Sequence, residues 1–135
     1  MIHLDTTFLV DLLRERRRDR FGPASTYLET LAEDEVLGTS VHVVCELMAG
    51  AYRAAASAGE LARLSRLCDA LVVRHPDQTF APQYGRLLAR MRGAGGTIDS
   101  MDLLIATAAI LDDCPLVTRN ARHFSKVPGL QVIGY

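Results

Sequence analysis

Four carboxylates, Asp5, Glu46, Asp99 and Asp102, stand beside apolar runs, each where a regular element begins, ends or is interrupted. Asp5 follows Met1-Ile2-His3-Leu4, Glu46 interrupts the apolar stretch Val41 to Met48, and Asp99 and Asp102 open the run Met101 to Leu111. Acids are seldom left against a core unless something cationic neutralises them. Their placement therefore suggests a divalent metal, and an all-oxygen donor set favours hard Mg2+ or Mn2+ over zinc. Like charges converging on one point also oppose each other's ionisation, so a metal-free pocket should carry raised carboxyl pKa values.

Each acid also has a structural reading. Asp5 could cap the helix that follows it, satisfying one amide at the positive end of the dipole. Glu46 flanks an apolar face made of Val43, Val44, Leu47, Met48 and Ala51, and could be an ordinary surface glutamate. Asp99-Ser100-Met101-Asp102 has the form of an N-cap followed by an acid three residues on, so one of the two should be structural. Asp102 is the better ligand: it shares a stripe with the small side chains of Ala106 and Ala109 on a helix apolar nearly all round, where an ionised group needs a partner.

The elements that must position these groups alternate between extended and helical patterns. Strands are expected at 2–4, 36–38, 70–74, 116–118 and 131–133. Helices are expected from Thr6 or Thr7 as cap through Arg14, then over 24–34, from a Thr39 or Ser40 cap to about Ala56, and over 60–69, 79–92 and 100–112, with a helical turn at 121–125. Gly22-Pro23, Gly59 and Gly93 to Gly96 mark breaks. Short strands separated by helices imply crossover units and a parallel sheet covered on both faces, with ligands bound past the carboxyl ends of the strands. Asp5 and Thr118-Arg119-Asn120 both lie directly past strand ends.

The chain's length, with 49% hydrophobic and 23% charged residues, fits one domain spanning 1–135 and argues against extensive disorder. Cys45, Cys68 and Cys114 are odd in number and set in apolar stretches, so buried reduced thiols are expected, and with them a cytoplasmic setting. No signal-like start and no apolar run of spanning length is present, so no membrane role is expected. The net charge is −1. Yet all the basic residues but Lys126 are arginine, and five crowd the segment from Arg14 to Arg20. Arginine suits phosphate recognition, so Arg14, Arg16 and Arg17 permit a nucleic-acid partner, although a solvated helix end would look the same.

Taken together, Asp5-Thr6 after the first strand, Glu46 within Val44-Cys45-Glu46-Leu47-Met48-Ala49-Gly50, the stretch Asp102 to Ala109, and Leu116 to Phe124 followed by Val127-Pro128-Gly129-Leu130 resemble PIN-domain ribonucleases. More narrowly they are similar to VapC-type toxins of toxin–antitoxin pairs. The resemblance runs nearly from end to end. It implies a three-layer α/β/α sandwich with a short-stranded parallel central sheet. It also implies a homodimer held inactive by a small cognate antitoxin, and metal-dependent endonucleolytic cutting of RNA, commonly tRNA or rRNA, that inhibits translation or growth.

By that resemblance Asp5, Glu46 and Asp102 match the family's acidic cluster, and Asn120 falls where a fourth acidic or amide residue completes it. Asp5 and Asp102 would be the direct ligands of Mg2+ or Mn2+, Glu46 the acid that organises or deprotonates water, and Asn120 a neutral positioner. Thr6, Thr118 and Asp99 are auxiliary candidates, and Arg119, Arg122 and His123 could contact RNA. Thr7 stands where relatives often carry Asn or Ser.

Two other classes compete. A catalytically silent module that only binds RNA or protein would share the fold, and a nuclease assay with and without metal separates the two. A receiver-like phospho-acceptor could use Asp5, Thr118 and Lys126, but wants an aspartate after a middle strand. Thr39-Ser40 and His75-Pro76 stand there instead.

Overall fold

Asp5 makes the first chain reversal. In the computed structural model, which describes residues 1–135, β1 (Ile2–Leu4) ends one residue before it and α1 (Thr6–Arg17) begins one residue after it. Asp5 itself is extended, and its side chain accepts the Phe8 amide, so it caps α1 in place of the expected Thr6 or Thr7. The helix runs a turn longer than expected because Arg14, Arg16 and Arg17 occupy its last turn, where positive charge is favoured by the dipole. Asp19, with φ 47°, takes the left-handed position after the end, which Asp tolerates.

The remaining elements are α2 (Pro23–Glu29), β2 (Leu37–Ser40), α3 (Val41–Arg53), α4 (Ala58–Asp69), β3 (Val72–Arg74), α5 (Phe80–Gly93), α6 (Ser100–Leu111), β4 (Leu116–Val117), α7 (Ala121–Phe124) and β5 (Val132–Ile133). α2 stops at Glu29 where the sequence pattern suggested 34. Thr30 returns both its amide and its hydroxyl to the Tyr27 carbonyl, and the acids Glu33 to Glu35 beyond it would oppose a helix C-terminus. Gly59 does not punctuate a turn. It lies in the first turn of α4, which starts earlier than expected because Ser57 accepts the Glu60 amide. Ala70 caps the end of α4, so β3 starts only at Val72. β2 extends to Ser40, which caps α3 by accepting the Val43 amide.

All five strands are parallel, in the order β3-β2-β1-β4-β5. The register sets His3 beside Gly38 and Leu116, and Leu4 beside Val117. The chain builds outward from β1 through β2 to β3, then returns to the other side of β1 with β4. Strand order thus reverses between β1 and β4, the place where open parallel sheets hold ligands. This order also differs from the 2-1-3-4-5 of receiver-like folds, which removes the phospho-acceptor alternative.

Helices cover both faces of the sheet, as a parallel sheet requires. α1 packs on α2 and α3, α3 on α4, and α6 against β2 with α5 outside it. One core runs through the whole assembly, from Leu4, Phe8 and Leu9 through Val43 and Leu103 to Leu116, Val117 and Phe124. α6 is its densest part: Leu103, Ile105, Ala106, Thr107, Ala108 and Ala109 are all buried. The cysteines depart from expectation, since Cys45 is exposed and the other two only partly covered, and all three are free thiols. No helix is long and apolar enough to cross a membrane.

Candidate active site

β1 and β4 end side by side, and their next residues meet. The Thr118 hydroxyl donates to Asp5 Oδ2 at 2.5 Å, while Thr7 Oγ1 and the Phe8 amide donate to Oδ1 at 2.7 and 2.9 Å. Asp5 is 2% exposed. Burial pushes its carboxyl pKa up, and the hydrogen bonds from Thr118, Phe8 and Thr7 oppose that rise without cancelling it. Capping and site membership are therefore not alternatives here, because Oδ1 serves the helix and Oδ2 faces the neighbouring strand.

Glu46 is carried by the second turn of α3 and accepts a hydrogen bond at Oε2 from the Thr6 hydroxyl, the residue next to Asp5. Asp102 comes from the first turn of α6, whose N-cap is Asp99, accepting the Met101 amide at 2.9 Å. α6 leads to β4 and runs opposite to it, which brings Asp102 to the same rim as Asp5: His123, just past β4, sits with Nε2 2.9 Å from Asp102 Oδ2. Burial raises the Asp102 pKa, the His123 charge lowers it, and the Asp99 and Glu46 carboxylates raise it further. Glu46 is thus tied to the residue beside Asp5 and lies near enough to Asp102 for its charge to act there, while Asp99 adds charge at the same end and spends its own side chain on the helix.

Other residues singled out from the sequence divide. Asn120 donates its amide to Thr118 Oγ1 at 2.9 Å, which ties its position to Asp5, while its side chain is exposed and makes no cap. Arg119 donates its amide to Thr7 Oγ1 and sends its guanidinium away to Asp11, at 2.7 and 2.9 Å. Arg14 and Arg17 line a groove of about 680 Å³ between α1, α3 and α4 that opens beside Thr6 and Glu46. Arg16 turns instead to an apolar cavity of about 490 Å³ beneath α1, rimmed also by Arg17, Arg63 and Arg66.

Sequence reading missed Asp11 and Tyr135. The Tyr135 hydroxyl donates to Asp11 Oδ2 at 2.8 Å and its ring stands edge-on to Phe8 with centroids 4.7 Å apart, so Asp11 is fixed from two sides. Burial and the Asp11 carboxylate together push the Tyr135 pKa up. Only the mixture of an acid and an aromatic near the ends of the apolar pattern could have signalled this contact.

No three histidine, cysteine or acidic side chains converge tightly enough to enclose an ion between them. Each carboxylate instead spends its oxygens on hydroxyl, amide or imidazole donors, and His123 is the only basic side chain paired with any of the three. That donor set is all oxygen and carries uncompensated negative charge. It fits an ion such as Mg2+, which keeps several waters and takes one or two carboxylates, better than one that needs an all-protein cage.

The PIN domain family profile matches residues 2–130. Ribonuclease VapC19 of Mycobacterium tuberculosis is 37% identical over 130 residues, 95% of each chain. Ribonuclease VapC2 of Rickettsia felis is 30% identical over 110 residues, covering 80% of this chain and 82% of its own. Among solved structures, VapBC2 from Rickettsia felis bound to a DNA fragment from its promoter superposes with a TM-score of 0.86 at 26% identity, covering 100% of this chain and 99% of the other.

Proposed function

We propose that this chain, which belongs to the PIN-domain family, is a Mg2+- or Mn2+-dependent endoribonuclease and the toxin of a toxin–antitoxin pair. The observation that carries this reading is the imbalance of charge at the rim. Asp5 just past β1, Glu46 on α3 and Asp102 on α6 have a single histidine as their only basic partner, and burial raises the pKa of Asp5 and Asp102. Groups arranged to be costly when ionised, and aimed past the strand ends, are placed for a cation and its substrate. The family relatives named as ribonucleases support RNA as that substrate.

In this reading Asp5 and Asp102 would hold the ion and Glu46 would accept the proton of the attacking water. Asp5 is preorganised for this by Thr7, Thr118 and the Phe8 amide, and Thr6 keeps Glu46 aimed at the corner. Asn120, fixed through its amide to Thr118, offers a neutral carbonyl to orient water. When bound, the ion supplies positive charge that stabilises the phosphate as water attacks in line. His123 holds Asp102 in place at the rim.

The same reading makes the protein a single domain over 1–135, cytoplasmic, homodimeric, and controlled by a small cognate antitoxin. The VapBC assembly to which the fold is similar supports the antitoxin, as does the groove between α1, α3 and α4, whose apolar floor of Val10, Leu13, Leu47 and Leu64 begins at Glu46. The substrate is tRNA or rRNA, and its cleavage inhibits translation. The test is RNA cutting by the purified chain with Mg2+, Mn2+ or chelator. We expect cutting only with metal, and a loss of about 10³-fold, or about 4 kcal/mol of barrier, in Asp5→Asn and Asp102→Asn. Chelator-insensitive cutting that survives both changes would overturn the reading.

A further inference from the structure

The turn after β4 and helix α7 together surround an open cleft of about 420 Å³ lined by Arg119, Asn120, Arg122, His123 and Lys126, without one apolar side chain. Two of its four basic groups are already committed to acids. Arg119 is latched onto Asp11 by both carboxylate oxygens, and His123 is bonded to Asp102. Arg122 and Lys126 have no acidic partner and are both exposed; Arg122 lies on α7 and Lys126 in the turn just past its end, and both line the same cleft. Like charges so placed repel unless an anion lies between them. His123 separates this pair from the acid corner by one side chain.

The contrast with the groove between α1, α3 and α4 identifies the anion. That groove also carries arginines, among them Arg14, Arg53 and Arg63, but over an apolar floor suited to side chains of a polypeptide. The α7 cleft has no such floor and presents only cations, an amide and an imidazole, which suits the polar backbone of a single nucleic-acid strand. Resting on the ribonuclease reading, we propose that Arg122 and Lys126 form a phosphate subsite for the RNA strand, binding a backbone phosphate neighbouring the one that is cut. Arg119 is outside this subsite. Its guanidinium is neutralised by Asp11, and its part is to fix the turn that carries Asn120.

The test uses the full-length chain with Asp5→Asn to prevent cutting, and a fluorescein-labelled, mixed-sequence single-stranded RNA of about twelve nucleotides. Its affinity is measured from about 50 to 200 mM salt, with and without Arg122→Gln and Lys126→Gln. Each substitution should lower the slope of log affinity against log salt by about 0.7, the double variant by about 1.4, with thermal midpoints unchanged because both side chains are exposed. In the cutting-competent background the pair should raise KM and leave kcat nearly as it was. An unchanged slope in the double variant, while the wild type still cuts the RNA with metal, overturns the subsite and leaves the ribonuclease reading standing. A slope that falls instead with Arg53→Gln and Arg63→Gln moves the strand to the other groove and equally overturns it. A wild type that neither binds nor cuts RNA removes both.

Discussion

Helix α6 carries a carboxylate at each end, and the two ends are treated in opposite ways. At its N-terminal end Asp102 is half-buried, favoured by the helix dipole, crowded by Asp99 and Glu46, and paired only with His123. At its C-terminal end Asp112 opposes the dipole, yet it is compensated on both oxygens. Arg74 donates to Oδ1 and the buried His3 donates from Nε2 to Oδ2 at 2.7 Å. Because the carboxylate only accepts, His3 carries its proton on Nε2 and leaves Nδ1 a bare, unpartnered acceptor. Its ring fits because Gly38 lies alongside in β2, where a Cβ would come within 3.2 Å of His3 Cδ2. Burial lowers the His3 pKa despite Asp112, so the imidazole is neutral and Arg74 supplies the balancing charge. A fold able to neutralise one acid so fully has left the other, on the same helix, with His123 as its only partner.

The largest effect should come from breaking the compensated end. Asp112→Asn removes the closer of Arg74's two acids, leaving only Asp77 at 3.6 Å, and takes the carboxylate from the buried His3; it should cost about 3 kcal/mol, or roughly 10 °C in the thermal midpoint without added metal. Asp102→Asn removes an acid whose ionisation is already disfavoured and should change stability by less than about 1 kcal/mol. Equal losses at both ends would remove the contrast.

Metal should then act at one end only. At about a hundred times its Kd, Mg2+ or Mn2+ should stabilise the wild type by about 2.7 kcal/mol. Asp112→Asn should keep that increment, and Asp5→Asn and Asp102→Asn should lose it, as thermal unfolding with and without metal would reveal. An increment that survives in all four proteins places the ion elsewhere.

Acidity gives the smallest and most diagnostic effect. Between the ordinary histidine value of 6.5 and the lowered value of His3, the unfolded chain takes up a proton that the folded chain refuses. His3 therefore makes stability fall on acidification in this window, by at most about 1.4 kcal/mol per pH unit, and the half-buried His42, lowered by burial, acts in the same direction. His3→Gln, which can still donate to Asp112, should reduce the slope to the share of His42. The acid corner has the opposite sign. Between the ordinary carboxyl value of 3.8 and the raised values of Asp5 and Asp102, the folded chain holds protons more tightly, so acidification there is stabilising. Either Asn substitution should reduce that gain in metal-free unfolding measurements.

Much of this was legible in the sequence because it rests on local periodicity. The near-continuous apolar run of α6 marked it as a buried helix with Asp102 in its first turn. The short extended runs gave five parallel strands. Element ends were less legible. Thr39 looks like a cap but lies in β2, where its hydroxyl donates to the Leu4 carbonyl, and that choice depends on a strand 35 residues away. Capping by Asp5 displaced Thr6 and Thr7, leaving their hydroxyls for Glu46 and Asp5.

The sequence by itself determined which groups could do chemistry here: acids beside apolar runs, an arginine-rich segment, and residues placed just past strand ends. Periodicities of two and 3.6 residues are properties of the local chain, and they suffice to set a side chain on a face. Tertiary structure alone decided how the charges are shared. Asp112 received Arg74 and His3, Asp11 received Arg119 and Tyr135, and the acid corner received only His123. These partners lie 38 to 124 residues apart in sequence, except for His123, and Asp102 meets even that one only because α6 runs back along β4. Electrostatic pairing depends on distance in space, and no local pattern encodes it.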